Sequence, residues 1–324
     1  KAYQDTAFTG FRTFLKGERN GQCFTHMPFF PAAVTDSAST KYERNMHIGM
    51  NEFEIFERAE DIELDTNILY FTIPDEDFPA LVRQTTFKNT GRGPLKLDVL
   101  DGLAKLIPSG LTNIGEATMG RTLEAWMKVY NVGNGMGDSS RPFFHITQGT
   151  ADTSTVQLIK EGHFAVSYIE GDDEHVPFIV DPSIVFGTDT SLLNPKAFFD
   201  FKDDMKDFMD QTQGTTARTP CAFAGTSLNI APGADITITT IFGHSPDLET
   251  FVGSIDGKVR AKGFAAEKRK AAIDLTEGIV QTVKTDTNLK LFDDYIKQDY
   301  LDNVLRGGLP LPLGEDKKIF HVYS

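Results

Sequence analysis

The seven histidines stand at positions 26, 47, 145, 163, 175, 244 and 321, with no pair at the spacing that lets one helix grip a metal. A lone histidine is usually a structural one, but a histidine facing a carboxylate in a cleft can move a proton to and from a sugar ring. His145 and His244 are the positions whose neighbours would decide that chemistry. Asp200, Asp203, Asp204, Asp207 and Asp210 would share a face of one helix, where metal ligands or an acid pair come to mind. Like charges at helical spacing repel, and neither the loop glycine nor the terminal glutamate of a calcium hand accompanies them, so a solvated face is expected. Gly133-Asn-Gly-Met-Gly137 has the look of a phosphate cradle, yet Asp138-Ser-Ser-Arg-Pro142 follows where an anion needs a helix N-terminus. It reads as a flexible turn. The nucleophile elbow, the P-loop and the Cys-x-x-Cys pair are absent from the sequence.

The elements that must position these residues are mostly strands. From Phe53 onward, runs of about five to eight residues are punctuated by Gly, Pro, Asn and Asp. Leu95 to Val99 and Ile236 to Thr239 alternate with period two, as half-buried antiparallel strands do. Further strands are predicted at Ile68 to Ile73, Leu81 to Lys88, Trp126 to Tyr130, Phe143 to Thr147, Phe164 to Ile169, Phe178 to Val180 and Arg218 to Thr226. Asn89-Thr-Gly-Arg-Gly-Pro94 reads as a hairpin connection. With so many strands and no helices expected between them, the fold class is mainly β, a large antiparallel β-sandwich. Gly102 to Arg121 fits neither strand nor helix, and a loop of that length is a candidate site region.

After His244 the pattern changes. Ser245 and Pro246 predict an N-cap and a first-turn proline, Lys258 to Val283 a helix, and Leu289 to Leu305 a second helix with an apolar stripe. Gly307 and Gly308 end it. The expected domains are therefore a β-sandwich over 1–245, a helical linker over 246–306 and the start of a further domain over 307–324. The apolar tail Ile319 to Ser324 and a first residue that is not methionine lead us to expect a fragment of something larger.

Composition narrows the function classes. The net charge of −14, from 46 acidic and 32 basic residues, argues against nucleic acid or anionic membrane as partner. Cys23 and Cys221 flank no metal spacing, and no apolar run has the length of a membrane span, so a reducing, cytoplasmic setting is expected. Phe, at 26 copies against one Trp and 8 Tyr, points to aromatics used for packing.

Several stretches together resemble the N-terminal region of the large glycoside phosphorylases related to cellobiose phosphorylase, in particular those acting on β-linked oligoglucans. They are Thr25-His-Met-Pro-Phe-Phe-Pro31, Asn67 to Pro74, Ala80 to Asn89, Leu97 to Gly102, Leu106-Ile-Pro-Ser-Gly-Leu-Thr-Asn113, Val180-Asp-Pro-Ser-Ile-Val-Phe-Gly187 with Asp189-Thr-Ser191, and Tyr300 to Gly308 running into His321 to Ser324. The resemblance implies a supersandwich, a two-helix linker and then an (α/α)6 barrel that begins as this chain ends. In such enzymes a barrel Asp protonates the glycosidic oxygen while inorganic phosphate, the co-substrate, attacks the anomeric carbon and inverts it. Phosphate is nucleophilic at neutral pH, so no second carboxylate is needed to activate water. No residue here matches that Asp, and no cofactor is implied. The partners implied are a β-linked gluco-oligosaccharide, the chain's own barrel and a second copy in a homodimer. Substrate-binding candidates are Trp126, the one indole that could stack on a pyranose ring, Arg306 beside the barrel entrance, and Asn113 in the Pro108 to Asn113 segment. Two other readings stand beside this one, a carbohydrate-binding module and a mutarotase-like sugar enzyme.

Overall fold

The computed structural model describes residues 10–30, 42–111, 120–132, 140–149, 158–172, 175–306, 309–313 and 318–322. Two antiparallel sheets dominate. One has five strands in the order β11-β12-β7-β1-β2, where β1 is Phe11–Arg19, β2 Gln22–His26, β7 Leu95–Leu103, β11 Phe178–Ile179 and β12 Ala222–Ile230. The other has eight, β3-β4-β5-β6-β13-β10-β9-β8. Its strands are β3 Tyr42–Ile48, β4 Glu52–Ala59, β5 Leu64–Thr72, β6 Ala80–Asn89, β8 Met127–Val132, β9 Ser140–Ile146, β10 Gly162–Ile169 and β13 Asp235–Ser245. The mainly β sandwich expected from the strand pattern is the architecture observed.

Alternation along β7 explains how the sheets face each other. Leu97 and Val99 point inward and meet Phe87 and Ile238 of the larger sheet, together with Leu15 and Leu228. Leu100 points outward and meets Phe14, Phe223 and three short helices, α2 (Pro182–Phe186), α3 (Lys196–Asp200) and α4 (Met205–Met209). On the far side of the larger sheet, Val82, Phe164 and Ile241 pack against Phe251, Val259 and Phe264 of the helical region. The layers are thus helices, sheet, sheet, helices. Another short helix, α1 (Arg121–Glu124), leads into β8.

The inner gap also holds a buried ion pair. Arg83 of β6 forks onto Asp101 of β7 at 2.9 and 2.7 Å, with both side chains 1% exposed. Thr13 and Thr85 hydroxyls donate to the same carboxylate at 2.5 and 2.9 Å, and Tyr70 completes the set. Every polar atom of the carboxylate is answered, which burial requires.

Asn89 to Pro94 is not a hairpin, because β6 and β7 lie in different sheets. The reason is Asn89, fully buried at the corner. Its amide nitrogen donates to Gly93 O and Ile230 O, both at 2.9 Å, while its oxygen accepts from Gly91 N at 3.0 Å and Arg19 at 2.9 Å. These bonds fold the chain over the sandwich edge instead of back along it. β12 starts at Ala222, later than Arg218, since Pro220 has no N–H for a ladder.

The predicted cap at Ser245 is displaced by two residues. Ser245 ends β13, and Asp247 caps α5 (Leu248–Thr250) by accepting from Thr250 N at 2.6 Å. A π-wound turn, Phe251–Ile255, continues into α6 (Asp256–Val259). The helix expected over Lys258 to Val283 is interrupted: Gly263 at φ 83° separates α6 from α7 (Phe264–Val280), the left-handed conformation that stops a helix. α8 (Lys290–Arg306) packs on α7 and fully buries Leu301, while Leu289 and Phe292 of the expected apolar stripe are exposed. Beyond it, β14 (Leu309–Leu313) and β15 (Lys318–Val322) pair as an antiparallel hairpin. Among the described residues no helix is long and apolar enough to cross a membrane.

Candidate functional site

The end of β7 is where chemistry-bearing residues gather. Gly102 sits at φ 156°, and a Cβ there would lie 1.9 Å from Ala222 O of β12, so only glycine allows the two strands to close on each other. The chain then leaves the sheet, and Leu106 N donates to Pro220 O at 2.8 Å while Cys221 N donates to Val180 O at 2.9 Å. These two bonds place Lys105, the start of α2 and the stretch before β12 side by side.

Between them opens a polar cleft of about 480 Å³. Two cations, Lys105 and Arg218, line it, with Glu124 from α1 and the hydroxyls of Ser183, Thr190 and Thr219. Glu124 Oε1 accepts from Thr219 Oγ1 at 2.9 Å, which ties α1 to the opposite wall.

Asp181 organises this cleft. It caps α2, with Pro182 in the first turn, and its Oδ1 accepts from Ser183 N at 3.0 Å and Ser183 Oγ at 2.7 Å. Its Oδ2 accepts from Gly214 N at 2.8 Å and from Arg218 at 2.5 Å. Burial pushes this carboxyl up, but the bonds from Ser183, Gly214 and Arg218 outweigh it and hold the group below the ordinary carboxylate range. Asp181 is therefore a fixed anion with all its acceptor positions used, and it positions Arg218 rather than exchanging protons. Arg218 is 43% exposed and lies flat over Gly214, where a Cβ would meet its Cζ at 2.5 Å.

Next to the cleft, Asp189 accepts from Ser191 Oγ at 2.5 Å, Ser191 N at 2.9 Å and Asn194 N at 2.7 Å, which lowers its pKa and orders the 189–194 turn carrying Thr190. Arg12 clamps that turn from the sheet through Leu192 O and Leu193 O, the latter at 2.6 Å. Burial, opposed by Asp189, moves Arg12 down to about 10. A cleft with two cations, a carboxylate free of the capping role and three hydroxyls matches a polyhydroxylated ligand better than an apolar or polyanionic one.

The residues singled out in the sequence fall variously. Trp126 is half-buried on the small cluster of Leu123, Met127 and Ile146, two residues from Glu124 but not lining the cleft. Its backbone oxygen accepts from Thr147 N at 2.8 Å. Arg306 is the last residue of α8 and is not among the residues lining the cleft. Asn113 lies outside the described residues, as does Gly133 to Gly137. The five aspartates do not share one helix: extended backbone at Phe201 splits α3 from α4, and all five are exposed. Among the described residues no group of three or more His, Cys, Asp or Glu is arranged to hold a metal ion. His145 bonds Glu161 O at 2.9 Å, a backbone partner, whereas His244 stands 3.6 Å from the Glu161 carboxylate.

Lys105 falls in the Gly102 to Arg121 segment expected to be a candidate site region, whereas Glu124, Asp181 and Arg218 were not singled out as site residues. Asp181-Pro182-Ser183 carried a legible signal, the acidic cap followed by a first-turn proline. Glu124 and Arg218 are isolated charges with no local pattern.

Neither a protein-family description nor a curated protein sequence matches the chain. Among solved structures, it is similar to a polysaccharide lyase, with TM-score 0.33 and 10% identity over 74% of this chain and 26% of the lyase. It is also similar to a putative kojibiose phosphorylase from human microbiome, with TM-score 0.33 and 8% identity over 89% of this chain and 27% of the other. The chain spans about a quarter of the length of each.

Proposed function

We propose that this chain is the sheet-built, non-catalytic front part of an inverting β-glucan phosphorylase, and that the polar cleft contacts the gluco-oligosaccharide. One observation carries the reading. Two stretches that bear the resemblance, Val180 to Gly187 and Asp189 to Ser191, contribute lining residues to this cleft, and a third, distant in sequence and beginning at Leu106, is tied beside it by the bond from Leu106 N to Pro220 O. Convergence on a common surface is what a shared ligand or a shared neighbouring domain would demand of them.

In this reading the 307–324 segment leads into an (α/α)6 barrel, whose acid protonates the leaving oxygen while inorganic phosphate attacks. The sandwich supplies donors and acceptors: Arg218 and Lys105 donate to sugar hydroxyls, and Glu124 accepts. Mixed donors and acceptors suit pyranose hydroxyls, which do both. Arg218 arrives pre-oriented by Asp181, so little side-chain entropy is lost when it grips a ligand. A cytoplasmic homodimer using no cofactor completes the proposal.

The test is phosphorolysis by the complete reading frame. Phosphate-dependent release of a sugar 1-phosphate from β-linked gluco-oligosaccharides is expected, with none from the 324-residue chain alone. Arg218→Met in the longer protein should raise KM more than it lowers kcat, as loss of uniform binding does. Absence of phosphate-dependent cleavage would remove the reading, and tight β-glucan binding by the isolated chain would favour a binding module instead.

A further inference from the structure

The β7 tail separates the polar cleft from a second cavity of about 520 Å³, and Lys105 lines both. β5, β7 and β13 end here while β6 and β10 begin, so the gap between the two sheets opens to solvent. The walls are largely apolar, including Ile73, Leu81, Leu103, Leu106 and Phe242. Leu81 and Phe242 are direct partners in the β6–β13 register, and Leu103 packs on the neighbouring core cluster together with Phe242. Phe242 is a fixed wall: its ring meets that of Phe11 edge-on, with centroids 5.1 Å apart at 61°.

Two imidazoles interrupt this lining. His163 of β10 and His244 of β13 are paired directly across the strands, with ring centroids 5.7 Å apart at 72°. His244 Nε2 stands 3.6 Å from the Glu161 carboxylate, which lies outside the cavity. His163 is hydrogen-bonded to the Gly243 backbone; burial first, then the adjacent His244, hold it below the ordinary histidine range, against the pull of that bond and of Glu161. A neutral imidazole that spends its N–H on a carbonyl presents a lone pair on its other nitrogen. His163 is thus an acceptor among apolar walls, and Lys105 supplies a donor.

Such a lining selects its ligand. An aldose would press most of its hydroxyls against side chains that cannot answer them, the usual cost of polar burial. An alkyl chain would desolvate the imidazole and the ammonium and give neither a partner. A flat ring bearing one hydroxyl satisfies both requirements. Its faces meet Phe242 and the aliphatic side chains, its O–H donates to His163, and its oxygen accepts from Lys105.

We propose that this cavity is a non-covalent binding site for a small phenol, its ring between the apolar walls and its hydroxyl against His163. The volume falls within the range of small-molecule sites and leaves room for a substituent on the ring. Binding asks no catalysis of the chain. It is also independent of the phosphorylase reading, because it uses only residues of this cavity.

The experiment is isothermal titration of the purified 324-residue chain with 4-methylphenol and with 4-methylanisole, the same ring with its hydroxyl proton replaced by a methyl group. Saturable binding of both is expected, with the phenol about 5-fold tighter or more, the scale of one net hydrogen bond. His163→Leu should still bind the ether and lose the preference for the phenol, an outcome that a merely structural histidine would not give. Leu81→Trp, which fills the cavity from a partly exposed position, should abolish binding of both ligands while a circular dichroism melt shows the fold retained. Glucose at equal concentration should not displace the phenol. Absence of saturable binding to the wild-type chain, a preference that survives His163→Leu in folded protein, binding that survives Leu81→Trp, or displacement by glucose would overturn the proposal. Phosphorolysis by the complete reading frame, present or absent, leaves each of these outcomes unchanged.

Discussion

Asp181→Ala tests whether the cleft is organised as described. The substitution deletes the α2 cap, worth about 1 kcal/mol. It also strips Gly214 N of a charged acceptor in a half-buried setting, worth about 1–2 kcal/mol. The Arg218 contact adds at most about 1 kcal/mol, since that side chain is 43% exposed and screened by water. The sum is about 3 kcal/mol at neutral pH, read as a shift in the urea midpoint at unchanged slope. Asp181→Asn should cost about 2 kcal/mol, because its oxygen can still cap α2 while its NH2 confronts the N–H groups of Gly214 and Arg218.

Acid supplies the decisive arm of this test. The folded carboxyl titrates below its unfolded value of about 3.9, so its stabilisation is fully present above that pH and is lost as pH falls through the depressed folded value. The gap between wild type and Asp181→Asn should therefore close as pH drops below about 4. A cost for Asp181→Ala under about 1 kcal/mol, or a gap that stays constant from neutral pH into acid, would refute the reasoning.

Three further outcomes are expected. Asp101→Ala leaves Arg83 charged and buried between the sheets and should cost about 3–5 kcal/mol, while Arg83→Met with Asp101→Leu together should cost far less; paired denaturation curves measure both. Gly102→Ala should abolish the folded state or destabilise it by more than about 3 kcal/mol, since the neighbour is the rigid Ala222 backbone, and soluble yield with amide-exchange protection across β7 and β12 reports it. Leu291→Gln on α8, at a position 78% exposed, should stay within about 0.5 kcal/mol of wild type in a thermal melt.

Much of the architecture was written locally. Period-two alternation in Leu95 to Val99 and Ile236 to Thr239 announced half-buried strands, because each strand buries one face whichever partner it takes. The helical texture after His244 and the stop beyond Leu305 were equally local, resting on propensity and on glycine. Partners across the sandwich were not legible: whether the turn at Asn89 folds back or crosses over is decided by Ile230 O and Arg19, residues remote in sequence.

The sites divide in the same way. The acidic cap at Asp181 was readable because capping joins neighbours along the chain, and the scarcity of recognised catalytic motifs was readable for the same reason. That Lys105, Glu124 and Arg218 share a cleft depends on three backbone bonds, from Leu106, Cys221 and Ala217, between segments that meet only in three dimensions. The juxtaposition of His163 with His244 follows from the β10–β13 register, which hydrophobic burial of alternate residues sets and no local pattern displays. Composition and periodicity determined the kind of layers this chain builds; long-range pairing alone decided which side chains those layers bring together.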